Sequence, residues 1–244
     1  MNAMTRAACA TDGAVAQVAR ARHYSAGSDL FQQGFPAEEV VFLDDGIVKL
    51  IRLEDDGRQL IMGLRTAGSV LGVAPAVAER THPATATTLT ACTVRHLPAS
   101  VFRQLLRSSH ATSWQFQQML SDEVCELAVR LSELACCASR QRLERALRAF
   151  VPRTGFEPGA EVKLQTPLKH REIAELIAVT PEQLSRLLKE MEADGLVRRE
   201  KGWLILRDVR MSTRHAGPGR RSTPIPPPSQ RLVTGHVDRR QARA

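Results

Sequence analysis

Aromatic residues are scarce: one tyrosine, two tryptophans and seven phenylalanines in 244 residues. With a single tyrosine, few paired acids and no Ser-His-Asp, metal-ligand or phosphate-loop spacing, there is no enzyme active site to nominate. Cysteine is also sparse. Cys9, Cys92, Cys125, Cys136 and Cys137 make an odd number without a C-x-x-C pair. A disulfide framework and a zinc site are both disfavoured. No apolar run approaches the roughly 20 residues that cross a bilayer. Charges at Arg6, Asp12, Arg20 and Arg22 interrupt every apolar stretch of the first thirty residues, so no signal-peptide core is seen. A cytoplasmic protein without a membrane partner is expected.

Hydrophobic residues make up 43% of the chain, enough for one large or two modest domains with a real core. The net charge of +8 suggests nucleic acid, but its location qualifies that reading. Residues 209–244 hold eight arginines against Asp238 alone, which is +7 of the total. The rest of the chain is close to neutral, so bulk charge describes the tail rather than the body.

An α+β architecture in five segments is expected. Residues 1–22 read as an Ala-rich arm. Residues 23–109 read as a β jelly roll: Val40–Leu43, Ile47–Leu53, Leu60–Leu64 and Ala84–Leu97 are β-prone. Asp45-Gly46 and Asp56-Gly57 punctuate these runs as hairpin signals. After Pro98 the period becomes helical. Leu120, Val124, Leu127, Leu131 and Leu134 follow spacings of 4, 3, 4 and 3, an a/d seam within a helix over 110–138. The seam serves either pairing with a second copy or packing on its own domain, and a strict seam favours the second copy. Residues 139–208 read as a compact DNA-binding domain, opened by a helix over Arg140–Phe150 and broken at Pro152–Pro158. Residues 209–244, rich in Gly, Pro, Ser and Arg, cannot pack a core and read as a disordered basic tail.

The most informative stretch is Thr166 to Arg207. Thr166 is placed to cap a helix opened by Pro167, with Ile173, Ala174 and Ile177 on its buried face. After a break at Ala178-Val179, Thr180 caps again, with Pro181 at N1 and Gln183 at the capping-box spacing. The second helix buries Leu184, Leu187, Leu188 and Met191. Glu182, Ser185, Arg186 and Lys189 are left outward. Asp194-Gly195 ends it, and Leu196–Leu206 alternates around Lys201-Gly202 as a wing. Two short helices on a tight turn, the second with a polar outer face, form a helix-turn-helix. Residues 160–208 carry nine basic and nine acidic side chains, so selectivity must come from base contacts. Arg186 suits guanine O6 and N7, Glu182 suits a cytosine amino group, and Ser185 suits either base partner or a thymine methyl. Thr180, Glu182, Ser185, Arg186 and Lys189 are the candidate DNA-binding residues. The alternative is a cyclic-nucleotide-responsive signalling protein whose C-terminal domain binds protein.

Residues 23 to 208 resemble the Crp/Fnr family of bacterial regulators. Gly34, Asp45-Gly46, Gly68 and Gly72 fall at the turn glycines of that family's roll, and the leucine seam falls at its dimer helix. The runs 169–174 and 179–188 look like the two helices of its DNA motif. Glu182, Ser185 and Arg186 reproduce the Fnr-type spacing, which implies a homodimer on an inverted repeat similar to TTGAT-N4-ATCAA. The acidic tip Glu54, Asp55 and Asp56 reads first as a solvated Asp-Gly turn; the resemblance offers the alternative of a contact with RNA polymerase in an activator.

The signal is less legible. Cyclic-AMP-binding members of the family hold the phosphate with Gly-Glu followed ten residues later by Arg-Ser. Here Gly72-Val73 and Pro83-Ala84 stand at those places, which argues against cyclic AMP. Arg65, Arg80 and Arg95 are the available substitutes. An iron–sulfur cluster would need more N-terminal cysteines than Cys9. Among His23, His82, His96 and His110, His82 is placed to reach a ligand such as haem. Cys136-Cys137, at the expected hinge, read as small buried residues, with a redox switch as the alternative.

Overall fold

The computed structural model describes residues 19–151, 161–164, 166–200 and 203–207, all within one compact unit. The basic tail, Cys9, Pro152–Pro158, the Lys201-Gly202 turn and nearly all of the N-terminal arm lie outside the described residues.

Eight strands build the N-terminal part: β1 Arg20–Tyr24, β2 Asp29–Phe31, β3 Glu39–Asp45, β4 Ile47–Leu53, β5 Gln59–Thr66, β6 Val70–Leu71, β7 Thr85–Thr88 and β8 Cys92–Pro98. They form two antiparallel four-stranded sheets, ordered β1-β8-β3-β6 and β2-β7-β4-β5. Val41, Leu43, Val48, Ala86, Cys92 and Val94 fill the space between them. A short helix, α1 (Val73–Val77), follows β6.

The two Asp-Gly signals do different work. Asp56-Gly57 turns the β4–β5 hairpin, as expected. Asp45-Gly46 does not make a hairpin, because β3 pairs with β8 and β6 while β4 pairs with β5 and β7. It is a corner where the chain crosses from one sheet to the other. Gly46 sits there at φ 99°, and a Cβ on it would come within 2.5 Å of the Ala91 carbonyl and the Cys92 sulfur. Only glycine lets the sheets close at this edge.

Helix α2 (Ala99–Ser108) leads to the 27-residue α3 (His110–Cys136). The Ser109 hydroxyl caps α3 by accepting from Thr112 N at 3.2 Å. Phe116 and Met119 anchor α3 on the roll, and Phe116 meets Phe102 edge to face at 4.7 Å. The seam splits as a result. Leu120 packs beside that cluster and Leu134 is half-buried, whereas Val124, Leu127 and Leu131 are exposed, Val124 by 65% and Leu131 by 69%.

The C-terminal part comprises α4 (Ser139–Ala149), β9 (Glu161–Leu164), α5 (His170–Leu176), α6 (Pro181–Ala193), β10 (Val197–Glu200) and β11 (Trp203–Arg207). Its sheet runs β10-β11-β9, all antiparallel. Leu143 and Leu147 of α4 are fully buried with Ile173, Leu184, Leu188 and Met191. Ile61, from β5 of the roll, is buried in the same cluster.

Candidate nucleic-acid interface

Helix α6 is the element that meets DNA in a helix-turn-helix. Thr180 caps it, its hydroxyl accepting from Gln183 N at 3.2 Å, and Pro181 occupies the first turn. The reciprocal half of the capping box is absent: the Gln183 amide reaches Ser139 Oγ at 3.5 Å instead. Leu184, Leu187, Leu188 and Met191 face the core as expected. Glu182, Arg186 and Lys189 are exposed on the opposite side. Ser185 lies between them, half-buried, with its hydroxyl donating to the Pro181 carbonyl at 3.0 Å. The Glu182 carboxyl is held below its usual range by its own N–H at the open helix end, by the Thr180 hydroxyl and by the charge of Arg186.

The first helix begins later than the sequence suggests. Thr166 does not cap it. Its hydroxyl accepts from Leu168 N at 3.1 Å in a local turn that drops Leu168 into the core. Helix α5 starts at His170, where Glu172 accepts from the Lys169 N–H at 2.7 Å. The turn between the helices contains Ala178 at φ 54°. Arg142 of α4 secures it: Nε donates to Ile177 O at 2.9 Å, Nη1 to Cys137 O at 2.8 Å and Nη2 to Ala178 O at 3.5 Å.

Most nearby cations are committed to carboxylates. Arg171 pairs with Glu175, Arg199 with Glu192, and Arg198 and Arg207 with Glu161. Arg186 and Lys189 make no hydrogen bond or ion pair among the described residues. Two cations on one exposed helix face are thus free for a partner, within a domain whose charge is balanced.

In the roll, the glycine that the family resemblance sets beside a ligand phosphate is packed against protein. Gly72, at φ 76°, has the His82 ring against it; a Cβ there would meet His82 Cε1 at 3.2 Å and the Glu39 carbonyl at 3.3 Å. His82 is buried, and burial holds its imidazole below the ordinary histidine value. Arg65 pairs with Glu123 and Arg95 with Asp44. His96 lies between Tyr24 Oη at 3.1 Å and Glu39 at 2.7 Å, while His23 and His110 are exposed.

Comparison with known proteins agrees with this two-part arrangement. Residues 21–109 match the cyclic nucleotide-binding domain model, and residues 141–211 match the Crp-like helix-turn-helix domain model. The chain belongs to the Crp/Fnr family. It is a transcription regulator of that family with a C-terminal helix-turn-helix domain. A relative in Xanthomonas euvesicatoria, the CRP-like protein Clp, is 26% identical over 197 residues, which is 78% of this chain and 84% of the relative. The fold is similar to that of CLP, a c-di-GMP-responsive global regulator of Xanthomonas campestris, with TM-score 0.68, 24% identity and coverage of 78% and 94% of the two chains. FixK2 from Bradyrhizobium japonicum gives TM-score 0.67 at 20% identity, covering 79% and 94%.

Within this Crp/Fnr chain, the acidic tip is exposed, with Glu54 held by Arg52 and Asp56 by Arg58. A cleft of about 560 Å³ lies between that hairpin, at Glu54 and Arg58, and the start of α6, at Thr180, Pro181 and Gln183. The two hinge cysteines are not buried as expected: Cys136 is exposed, and Cys137 is half-buried with Arg145 Nη1 at 3.4 Å from its sulfur. They lie where α3 stops, at its solvent-facing end. No described helix is long and apolar enough to cross a membrane. Sequence reasoning missed Lys49, Arg130, Arg142 and Glu172, whose partners are backbone carbonyls or residues far away in the chain. No local spacing signals such contacts.

Proposed function

We propose that this regulator binds DNA as a homodimer and reads an inverted repeat similar to TTGAT-N4-ATCAA, under a signal other than cyclic AMP. The observation that carries this reading is the outer face of α6. Arg186 and Lys189 stand exposed there beside Glu182, without an ion pair among the described residues, while the wing arginines are neutralised by acids. Arg186 offers its planar fork to guanine O6 and N7, and Glu182 accepts from a cytosine amino group. Ser185, with its hydroxyl turned to the backbone, presents its Cβ to a thymine methyl. Thr180 and Lys189 flank these residues and suit phosphates. The second copy packs along α3. Val124, Leu127 and Leu131 form the centre of that interface, with Leu120 and Leu134 at its flanks. The basic tail adds sequence-independent attraction.

The test is binding at one salt concentration to the intact repeat and to repeats lacking the guanine. Arg186→Ala costs about 1–3 kcal/mol per half-site and relaxes choice at that base. Arg186→Lys restores charge but only part of the selectivity, since lysine lacks the fork. Equal losses on every sequence would make Arg186 a phosphate anchor and remove the assigned half-site.

A further inference from the structure

Helix α5, the first helix of the DNA motif, is gripped at both ends by side chains from outside its own domain. At its N-terminal end, Lys49 of β4 donates to Glu172 Oε1 at 2.5 Å, across 123 residues of sequence. Both side chains are only 14% exposed. The other carboxylate oxygen of Glu172 accepts from Lys169 N, so one side chain caps α5 and ties it to the roll. At its C-terminal end, Arg130 of α3 donates through Nη2 to Leu176 O at 2.5 Å and to Ile61 O at 3.0 Å. Leu176 O belongs to the last turn of α5, where carbonyls lack helical partners and a cation is favoured. Ile61, fully buried, belongs to β5 of the roll. Burying an ion pair costs desolvation and adds little net stability, whereas it penalises any arrangement that separates the pair.

We propose that Lys49, Arg130 and Glu172 are positioning residues that lock the DNA-reading domain onto the roll and the long helix in the orientation that leaves the outer face of α6 open. Helix α5 leads into α6 through the four-residue connection Ile177–Thr180, whose Ile177 and Ala178 carbonyls Arg142 pins. A tilt of α5 therefore moves α6 with it. On an inverted repeat the two recognition helices must sit one helical turn of DNA apart, so loosening this junction weakens the repeat and spares a single half-site. That last step rests on the dimeric reading above; the docking itself does not.

The test that needs no DNA is amide hydrogen exchange on the full chain. Lys49→Glu should speed exchange in residues 59–66 and 170–176 by about tenfold, an ordinary size for coupling between elements. Glu172→Lys alone should also speed it, through the lost cap as well as the lost pair. Lys49→Glu with Glu172→Lys should exchange more slowly than Glu172→Lys alone, because the pair is re-formed with opposite polarity while both variants lack the cap. Arg130→Lys should loosen the same two segments, one ammonium being a poor substitute for a guanidinium fixed on two carbonyls. Unchanged exchange in Lys49→Glu, or a double variant no better than Glu172→Lys alone, would overturn the lock. In the DNA arm, Lys49→Glu loses about tenfold on the repeat and nothing on an isolated half-site. Equal loss on both, or tighter binding, would overturn its orientation role. If the unaltered protein shows no preference for the repeat over a half-site, the dimeric reading fails instead, and the exchange result alone decides the lock.

Discussion

His82 lies face to face on Phe31, with ring centroids 3.9 Å apart and planes 10° from parallel, and its Nδ1 has no hydrogen-bond partner among the described residues. Burial alone pushes its imidazole below the ordinary value of 6.5. A depressed pKa means that the folded state holds His82 neutral while the unfolded chain takes up a proton. The stability tied to His82 is therefore complete above pH 6.5 and is lost as pH falls through the folded value. Melting temperature should fall with acidification below pH 6.5 in the unaltered protein, and His82→Phe, which keeps the stack, should flatten that slope. Parallel slopes in the two proteins would assign the acid loss to other groups.

Arg142 satisfies three carbonyls, at Cys137, Ile177 and Ala178, that lie at the hinge and in the turn of the DNA motif. Arg142→Met keeps the aliphatic stem and removes every donor. Such a change should destabilise the domain by about 1–3 kcal/mol, the usual cost of stranding charge-assisted partners. Urea unfolding of the full chain followed at the C-terminal domain measures this. DNA affinity should drop on all sequences together, since the turn rather than a base contact is altered.

Val124 and Leu131 are among the most exposed large apolar residues of the chain and lie on one side of α3. On the dimeric reading proposed above, Val124→Glu with Leu131→Glu should yield folded monomers, because charge buried in an apolar interface is costly while neither side chain supports its own subunit's core. Sedimentation gives the mass and circular dichroism the fold. A dimer mass that survives the double substitution would place the interface elsewhere.

Much of the architecture is legible locally. The strands of the roll, the long helix and the two helices of the DNA motif follow from periodicity, because the faces that repeat every two or every 3.6 residues are the faces that get buried. The outward positions of Glu182, Arg186 and Lys189 are legible for the same reason. The start of α5 is not: Thr166 has the chemistry of a cap, yet Leu168, as a core residue, pulls the segment into a turn and leaves capping to Glu172. Asp45-Gly46 likewise carries a hairpin signal that only the pairing of β3 with β8 converts into a corner.

By itself the sequence determined the order of roll, long helix and winged helix-turn-helix, and the outward face of α6 with Glu182, Arg186 and Lys189, since these depend on near neighbours along the chain. Only the tertiary structure decided that His82 is buried against Gly72 and Phe31, that the leucine seam turns Leu120 inward and Val124 and Leu131 outward, and that Lys49 and Arg130 hold α5. The contacts that hold α5 join residues 46 to 123 apart in the chain, and such meetings are set by the packing of whole elements, which no local pattern encodes.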